Sequence, residues 1–406
     1  MNYSESFNTL KAKINYSDDV IEAGGLVIRN YTFESEAHDI LIGHRHYSCG
    51  LHGLTFNEPL LASNEAGYTD EVAGTLDSFI DENHYFRYHI FYPPGTAKAG
   101  KLVFLFHGFN EKTWDKYYSW AMKIVQDTGK AVVLFPIAFH MNRAPASWAD
   151  HRLMYRLSES RKKKFPNMLK SSLSNAAISA RLHSHPQRFI WSGLQTYYDI
   201  IRFVEICMAG LHPDIEKDCS FDFFSYSIGS LLAEILKLTD HKGYFTSSKL
   251  CTFCGGAVFN RLSPVSKFIL DSETNVALYS YLVEHIDNHM KHDPRLRHLL
   301  SHEHSEGFNL YSMLDYKVNL EYREEKFRKI QDQVLAVTLK KDKVVPAYEV
   351  INTLKGFQRD IGIHVDILDF PYPYIHEDPF PITNPPNEQV NQAFEQVFER
   401  ICGFLK

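Results

Sequence analysis

The chain has 406 residues, of which 44% are hydrophobic and 23% charged; both values lie near the globular average and exclude disordered and collagen-like classes. Its 43 Lys and Arg against 49 Asp and Glu give a net charge of −6, so no general attraction to nucleic acid or to an anionic membrane surface is expected. No stretch approaches the roughly 18 apolar residues of a membrane span. The opening Met1-Asn2-Tyr3-Ser4-Glu5-Ser6-Phe7 lacks a basic segment followed by an apolar one, so no secretory leader is expected. The six cysteines, at 49, 207, 219, 251, 254 and 402, are scattered, which reads as reduced thiols in a cytoplasmic protein.

Along the chain, strand and helix patterns alternate in three stretches. His84 to Tyr92 reads as a strand ended by Pro93-Pro94-Gly95. Lys101 to Phe106 (KLVFLF) and Ala131 to Phe135 (AVVLF) are continuous apolar runs, the pattern of strands buried on both faces. Between them Trp114, Tyr118, Ala121, Met122 and Val125 share a helical face, with Gly129 placed to cap it. In the second stretch, Thr196 is the expected N-cap of a helix running to Gly210. A short strand, Phe221 to Phe224, runs into Ser225-Tyr226-Ser227-Ile228-Gly229 and a buried helix, Leu231 to Leu238; a strand over Leu250 to Phe253 follows. The third stretch holds strands over Val334 to Leu339 and Ile363 to Phe370, and an amphipathic helix over Asn387 to Phe404. Such alternation predicts a mostly parallel sheet covered by helices.

Three segments interrupt this pattern: an N-terminal extension, 1–82, expected to pack on the core, and insertions at about 141–196 and 261–330, expected to form a helical cap. Arg161-Lys162-Lys163-Lys164 in the first insertion reads as a solvated face. Cys251-x-x-Cys254 falls on a buried strand and reads as core. His44, His46, Cys49 and His52 cluster in the extension, and His285, His289, His292, His298, His302 and His304 in the second insertion. They read as solvated or partner-facing, so neither a metal nor an organic cofactor is expected.

The chemistry centres on Ser227. A serine on a tight turn between a buried strand and a buried helix has the geometry of a nucleophile elbow. Gly229 supplies the small residue needed two positions on, and Ser225 stands at the place two positions back where glycine is usual. The N–H of Ile228 faces the site, and His107-Gly108-Phe109, after the KLVFLF strand, offers the Phe109 N–H as a second donor to an oxyanion. An acid and a base are expected in the order Ser, Asp, His. Asp342 and His376 follow the next two strands, at the sheet edge where open α/β folds place their sites.

On these residues the chain resembles the α/β-hydrolase superfamily, specifically a bacterial branch of it. The resemblance spans about 83–406 outside the insertions and implies that fold. It also implies Ser227, Asp342 and His376 as catalytic residues and Phe109 and Ile228 as oxyanion donors. The activity implied is hydrolysis of a carboxylic ester, or an amide, of a small acyl substrate through an acyl-enzyme. His107, Tyr226, His140 and Arg143 are further candidates for substrate contact, Arg143 toward an acidic group. Two other outcomes stay open: a binding protein that keeps the fold without catalysis, and acyl transfer or lyase chemistry on the same triad.

Overall fold

The computed structural model describes residues 1–57 and 71–406; residues 58–70 of the extension lie outside the described residues. Its strands are β1 (Val20–Ala23), β2 (Leu26–Glu34), β3 (His46–Cys49), β4 (Leu54–Asn57), β5 (Tyr85–Tyr92), β6 (Ala99–Phe106), β7 (Ala131–Leu134), β8 (Ile215–Tyr226), β9 (Leu250–Phe253), β10 (Val334–Leu339) and β11 (His364–Leu368). Nine of them form one sheet in the order β1-β2-β5-β7-β6-β8-β9-β10-β11, and β3 and β4 form a separate hairpin. Pairing is parallel from β7 through β11 and antiparallel among β1, β2, β5 and β7. Helices cover both faces, which is the α/β-hydrolase fold.

Alternation along the strands builds two cores. On β6, Phe104 and Phe106 face one core and Val103 and Leu105 the other. The first core contains the helices Arg188–Met208 and Gly229–Thr239; the second contains Asp115–Thr128 and Glu388–Leu405. Gly129 ends its helix in the left-handed conformation, its N–H donating to Val125 O at 2.9 Å. Each fully buried side chain of this kind contributes about 1.5–3 kcal/mol relative to exposure, so the apolar strands dominate the driving force. No helix among the described residues is long and apolar enough to cross a membrane.

β2 pairs with β5 over its whole length and carries β1 outside it, so the antiparallel edge of the sheet comes from the extension. Thr196 is not a cap: the helix begins at Arg188, and the Thr196 hydroxyl donates to Ser192 O at 2.8 Å and accepts from Ala138 N at 3.0 Å. That hydroxyl serves inside the helix by bonding the preceding turn, a use indistinguishable from capping in local sequence. Arg161 is likewise not solvated. Its guanidinium is buried against Asp271, Nη2 to Oδ2 at 2.6 Å, and ties the first insertion to the second.

Glu234, two turns after Ser227, is fully buried, and both its carboxylate oxygens lack hydrogen-bond partners among the described residues. Burial pushes its carboxyl up to about 8 from an ordinary 4.5, with Arg323 pulling the other way. The folded state therefore keeps a proton that the unfolded chain releases above about pH 4.5. Stability contributed at this position falls as pH rises from about 4.5 to 8. Glu234→Gln should become increasingly stabilising relative to the parent between pH 5 and 8, by on the order of 3 kcal/mol, in urea unfolding measured across that range.

Candidate active site

β8 lies at the middle of the sheet and ends at Tyr226, and Ser227 follows with φ +56°, the left-handed region a non-glycine residue rarely occupies. Two backbone bonds hold it there: Ser227 N–H donates to Phe253 O at 3.1 Å, and Ser227 O accepts from Ser230 N at 3.0 Å. Gly229 then meets β6 closely. A Cβ there would lie 2.7 Å from His107 O and 2.9 Å from Phe106 O, so only glycine fits. At the other flank, Ser225 is accommodated because its buried hydroxyl finds Ser230 Oγ at 3.1 Å and Cys251 O at 3.3 Å. The serine-for-glycine departure thus costs no unsatisfied polar group.

Ser227, His376 and Asp342 are brought together in one hydrogen-bonded chain. Ser227 Oγ lies 2.7 Å from His376 Nε2, and His376 Nδ1 lies 2.7 Å from Asp342 Oδ2. The other carboxylate oxygen, Oδ1, accepts from the N–H groups of Val344 and Val345, both at 2.9 Å. These two bonds fix the carboxylate, and the carboxylate fixes the Nδ1–H tautomer of the imidazole. That leaves the Nε2 lone pair for the serine proton. All three side chains are buried.

Ser227, Phe109 and Ile228 line one small cavity together with Phe189 from the first insertion and Leu262, Pro264, Ile269, Leu270 and Leu278 from the second. The backbone N–H groups of Phe109 and Ile228 have no hydrogen-bond partner among the described residues. Two unpaired donors beside a hydroxyl in an apolar cavity suit a developing oxyanion. A wider cleft of about 1170 Å³ is lined by Phe370–Glu377, His376 among them, and by Leu262, Ser263 and Val265–Phe268.

The loops carrying these groups are braced by residues that local sequence did not single out. Gly108 N–H donates to Tyr117 Oη at 2.9 Å, and Tyr117 donates to Glu111 Oε1 at 2.8 Å. Lys116 pairs with Glu111 and donates to Glu377 O at 3.0 Å, so it joins the Phe109 loop to the His376 loop. The Cys254 thiol is buried beside Asp342, which raises its pKa further after burial itself. Glu111, Lys116 and Tyr117 have no signal in spacing or composition, because each acts through a partner elsewhere in the chain, and the spacing of Cys251 and Cys254 does not point to Asp342.

Of the four further candidates, three serve the scaffold. His107 is fully buried: Nε2 accepts from Ile137 N at 3.0 Å, Nδ1 donates to Gly108 O at 2.8 Å, and burial holds it neutral, well below its ordinary value. Tyr226 donates its hydroxyl to His376 O and stacks on that ring. It therefore helps to position His376. Arg143 is buried in an ion pair with Asp199 at 2.8 Å, and also donates to Asn83 Oδ1 at 3.1 Å and Pro136 O at 3.1 Å. With its guanidinium so enclosed it meets no acidic substrate group. His140 differs. Its Nδ1 pairs with Ala138 O at 2.9 Å, while Nε2 lacks a partner among the described residues and the ring lines an apolar cavity with Phe109, Phe189 and Ile228. Burial pulls its pKa down to about 4, so the imidazole is neutral there.

Removing one member of a buried pair strands the other charge. Arg143→Met should therefore lower unfolding stability by about 3–5 kcal/mol in a denaturant titration while leaving the KM of any substrate unchanged.

Solved structures to which the chain is similar include a carboxyl esterase of the mycorrhizal fungus Tuber melanosporum, at 11% identity over 79% of this chain and 81% of that one, with a TM-score of 0.42. A thermostable esterase from Pseudomonas putida aligns at 9% identity over 100% of this chain and 88% of that one, with a TM-score of 0.43. An esterase from Pyrobaculum calidifontis aligns at 12% identity over 78% of this chain and 80% of that one, with a TM-score of 0.41. No curated protein sequence matches the chain. The model of a family described as a family of unknown function, DUF6051, matches residues 1–406, and the chain belongs to that family.

Proposed function

We propose that this protein is a serine hydrolase that cleaves carboxylic esters through an acyl-enzyme. The observation that carries the reading is the continuous chain from Ser227 Oγ through His376 to Asp342, 2.7 Å at each step, beside two unpartnered backbone donors. Ser227 Oγ forms a bond to the substrate's carbonyl carbon while His376 Nε2 takes the hydroxyl proton. The carbonyl oxygen becomes an oxyanion held by Phe109 and Ile228 N–H, each contributing about 3–4 kcal/mol to the transition state. Collapse breaks the bond to the leaving group, which takes the proton from His376. Water then repeats the sequence on the acyl-enzyme, with His376 again as base, and releases the acid. Asp342 keeps the imidazole oriented and stabilises its protonated form.

Two cavities, one lined by Ser227 and one by His376, suggest which part of the substrate goes where. The apolar cavity at Phe109, Phe189 and Ile269 suits an uncharged acyl group. The wide cleft over His376 leaves room for the alcohol, on the side from which the leaving oxygen is protonated. Both insertions contribute to these walls, so we assign them the role of a cap that sets acyl choice. Six free, buried cysteines suit the reducing cytoplasm as the working compartment.

Hydrolysis of short-chain p-nitrophenyl esters tests the reading. Ser227→Ala should lower kcat by about 10⁶-fold and Asp342→Asn by about 10⁴-fold, with the fold retained by circular dichroism. Activity that survives Ser227→Ala would rule the mechanism out, and a folded parent inert toward a broad ester and amide panel would favour a binding role for the same fold.

A further inference from the structure

Four side chains outside the proposed mechanism converge from distant parts of the chain. Cys49 ends β3 and His52 lies in the turn before β4; His298 belongs to the helix Pro294–Leu299, and His304 precedes the helix Ser305–Ser312. One ligand-type atom from each lies within 4.8 Å of all the others. Cys49 Sγ is 3.4 Å from His52 Nδ1 and 3.5 Å from His304 Nε2, and His304 Nε2 is 3.0 Å from His298 Nε2. A tetrahedral zinc ion, with Zn–S of about 2.3 Å and Zn–N of about 2.0–2.1 Å, spaces sulfur and nitrogen ligands about 3.6 Å apart and two nitrogens about 3.4 Å. The side chains already stand near that spacing.

The surroundings say what belongs at the centre. His304 Nδ1 faces Glu306 Oε1 at 3.0 Å, and His298 Nδ1 faces Glu303 Oε2 at 3.3 Å. A carboxylate partner places the proton on Nδ1, so both rings direct Nε2 lone pairs at one another. Two lone pairs 3.0 Å apart repel, and a cation between them converts that repulsion into attraction. The carboxylate behind each histidine is the arrangement that orients imidazole ligands on zinc. One thiolate with three imidazoles suits zinc over the oxygen-seeking cations, and four protein ligands leave no open position, which marks a structural site rather than a catalytic one.

We infer that Cys49, His52, His298 and His304 bind a zinc ion that fastens the β3–β4 hairpin to the second insertion. On binding, the Cys49 thiol releases its proton to solvent as the S–Zn bond forms. The cross-link joins positions 255 residues apart, Cys49 and His304. Glu306, behind His304, also accepts from Tyr198 at 2.8 Å, so the site is tied to the helix Arg188–Met208, which contributes Phe189 to the cavity at Ser227. Neither sequence cluster held the full ligand set; the fold assembles it by taking two residues from each.

The test uses the full-length protein, stripped with a chelator and titrated with Co²⁺ and then Zn²⁺. One equivalent of Co²⁺ should give tetrahedral visible bands and a near-ultraviolet thiolate-to-cobalt charge-transfer band, both displaced by Zn²⁺. Zn²⁺ should also raise the thermal midpoint. Cys49→Ser should lose the charge-transfer band. His52→Ala, at the exposed ligand, should keep its circular dichroism spectrum while binding Zn²⁺ about tenfold more weakly or worse. Failure of the folded, metal-free protein to bind either ion would overturn the assignment. So would a cobalt spectrum without the thiolate band, or parental affinity in both Cys49→Ser and His52→Ala. None of these readouts depends on ester hydrolysis.

Discussion

The close approach of the helix Gly229–Thr239 to β6 is the constraint on which the rest depends. Only a residue without a side chain allows Gly229 to sit against the carbonyls of Phe106 and His107. That contact forces the chain to turn sharply at Ser227, at a cost of about 1–2 kcal/mol for a left-handed serine. Burial of the helix's apolar residues against the sheet outweighs that cost several times over. The same turn brings Ser227 and Ile228 into the wall of one cavity, beside Phe109. Packing and reactivity are two readings of one backbone contact.

A turn positions only one of the groups, and the other two come on long loops. Asp342 is fixed by the N–H groups of Val344 and Val345, and His376 by Asp342, by Tyr226 and through Glu377 by Lys116. Lys116 stands between the histidine loop and the Phe109 loop and engages both. The relative placement of His376 and Phe109 thus rests on polar contacts between loops, while Ser227 rests on apolar packing. On the proposed mechanism, errors of an ångström in such placement would cost orders of magnitude in rate.

The parallel core was legible because its signal is local. Runs such as KLVFLF, AVVLF and VLAVTL declare strands buried on both faces, and a residue just past such a strand falls at the sheet edge where Ser227, Asp342 and His376 meet. Roles set by distant partners were not legible. Arg143 lies after a core strand, as a substrate-binding residue would, and only the fold reveals Asp199 enclosing it. His107 has the right place in the chain for substrate contact, but both its ring nitrogens are taken by backbone groups. The pairing of β2 with β5, the cavity walls drawn from both insertions, and the meeting of Cys49 and His52 with His298 and His304 all depend on long-range packing that no periodicity encodes.

The central claim is that the Ser227 hydroxyl, activated by His376, is the nucleophile. The most direct measurement is reaction with a fluorophosphonate followed by intact-mass analysis and peptide mapping. A single adduct on Ser227, absent from Ser227→Ala and strongly slowed in His376→Ala, is the predicted result. A folded protein that takes up no adduct, or one labelled equally well after Ser227→Ala, would contradict it.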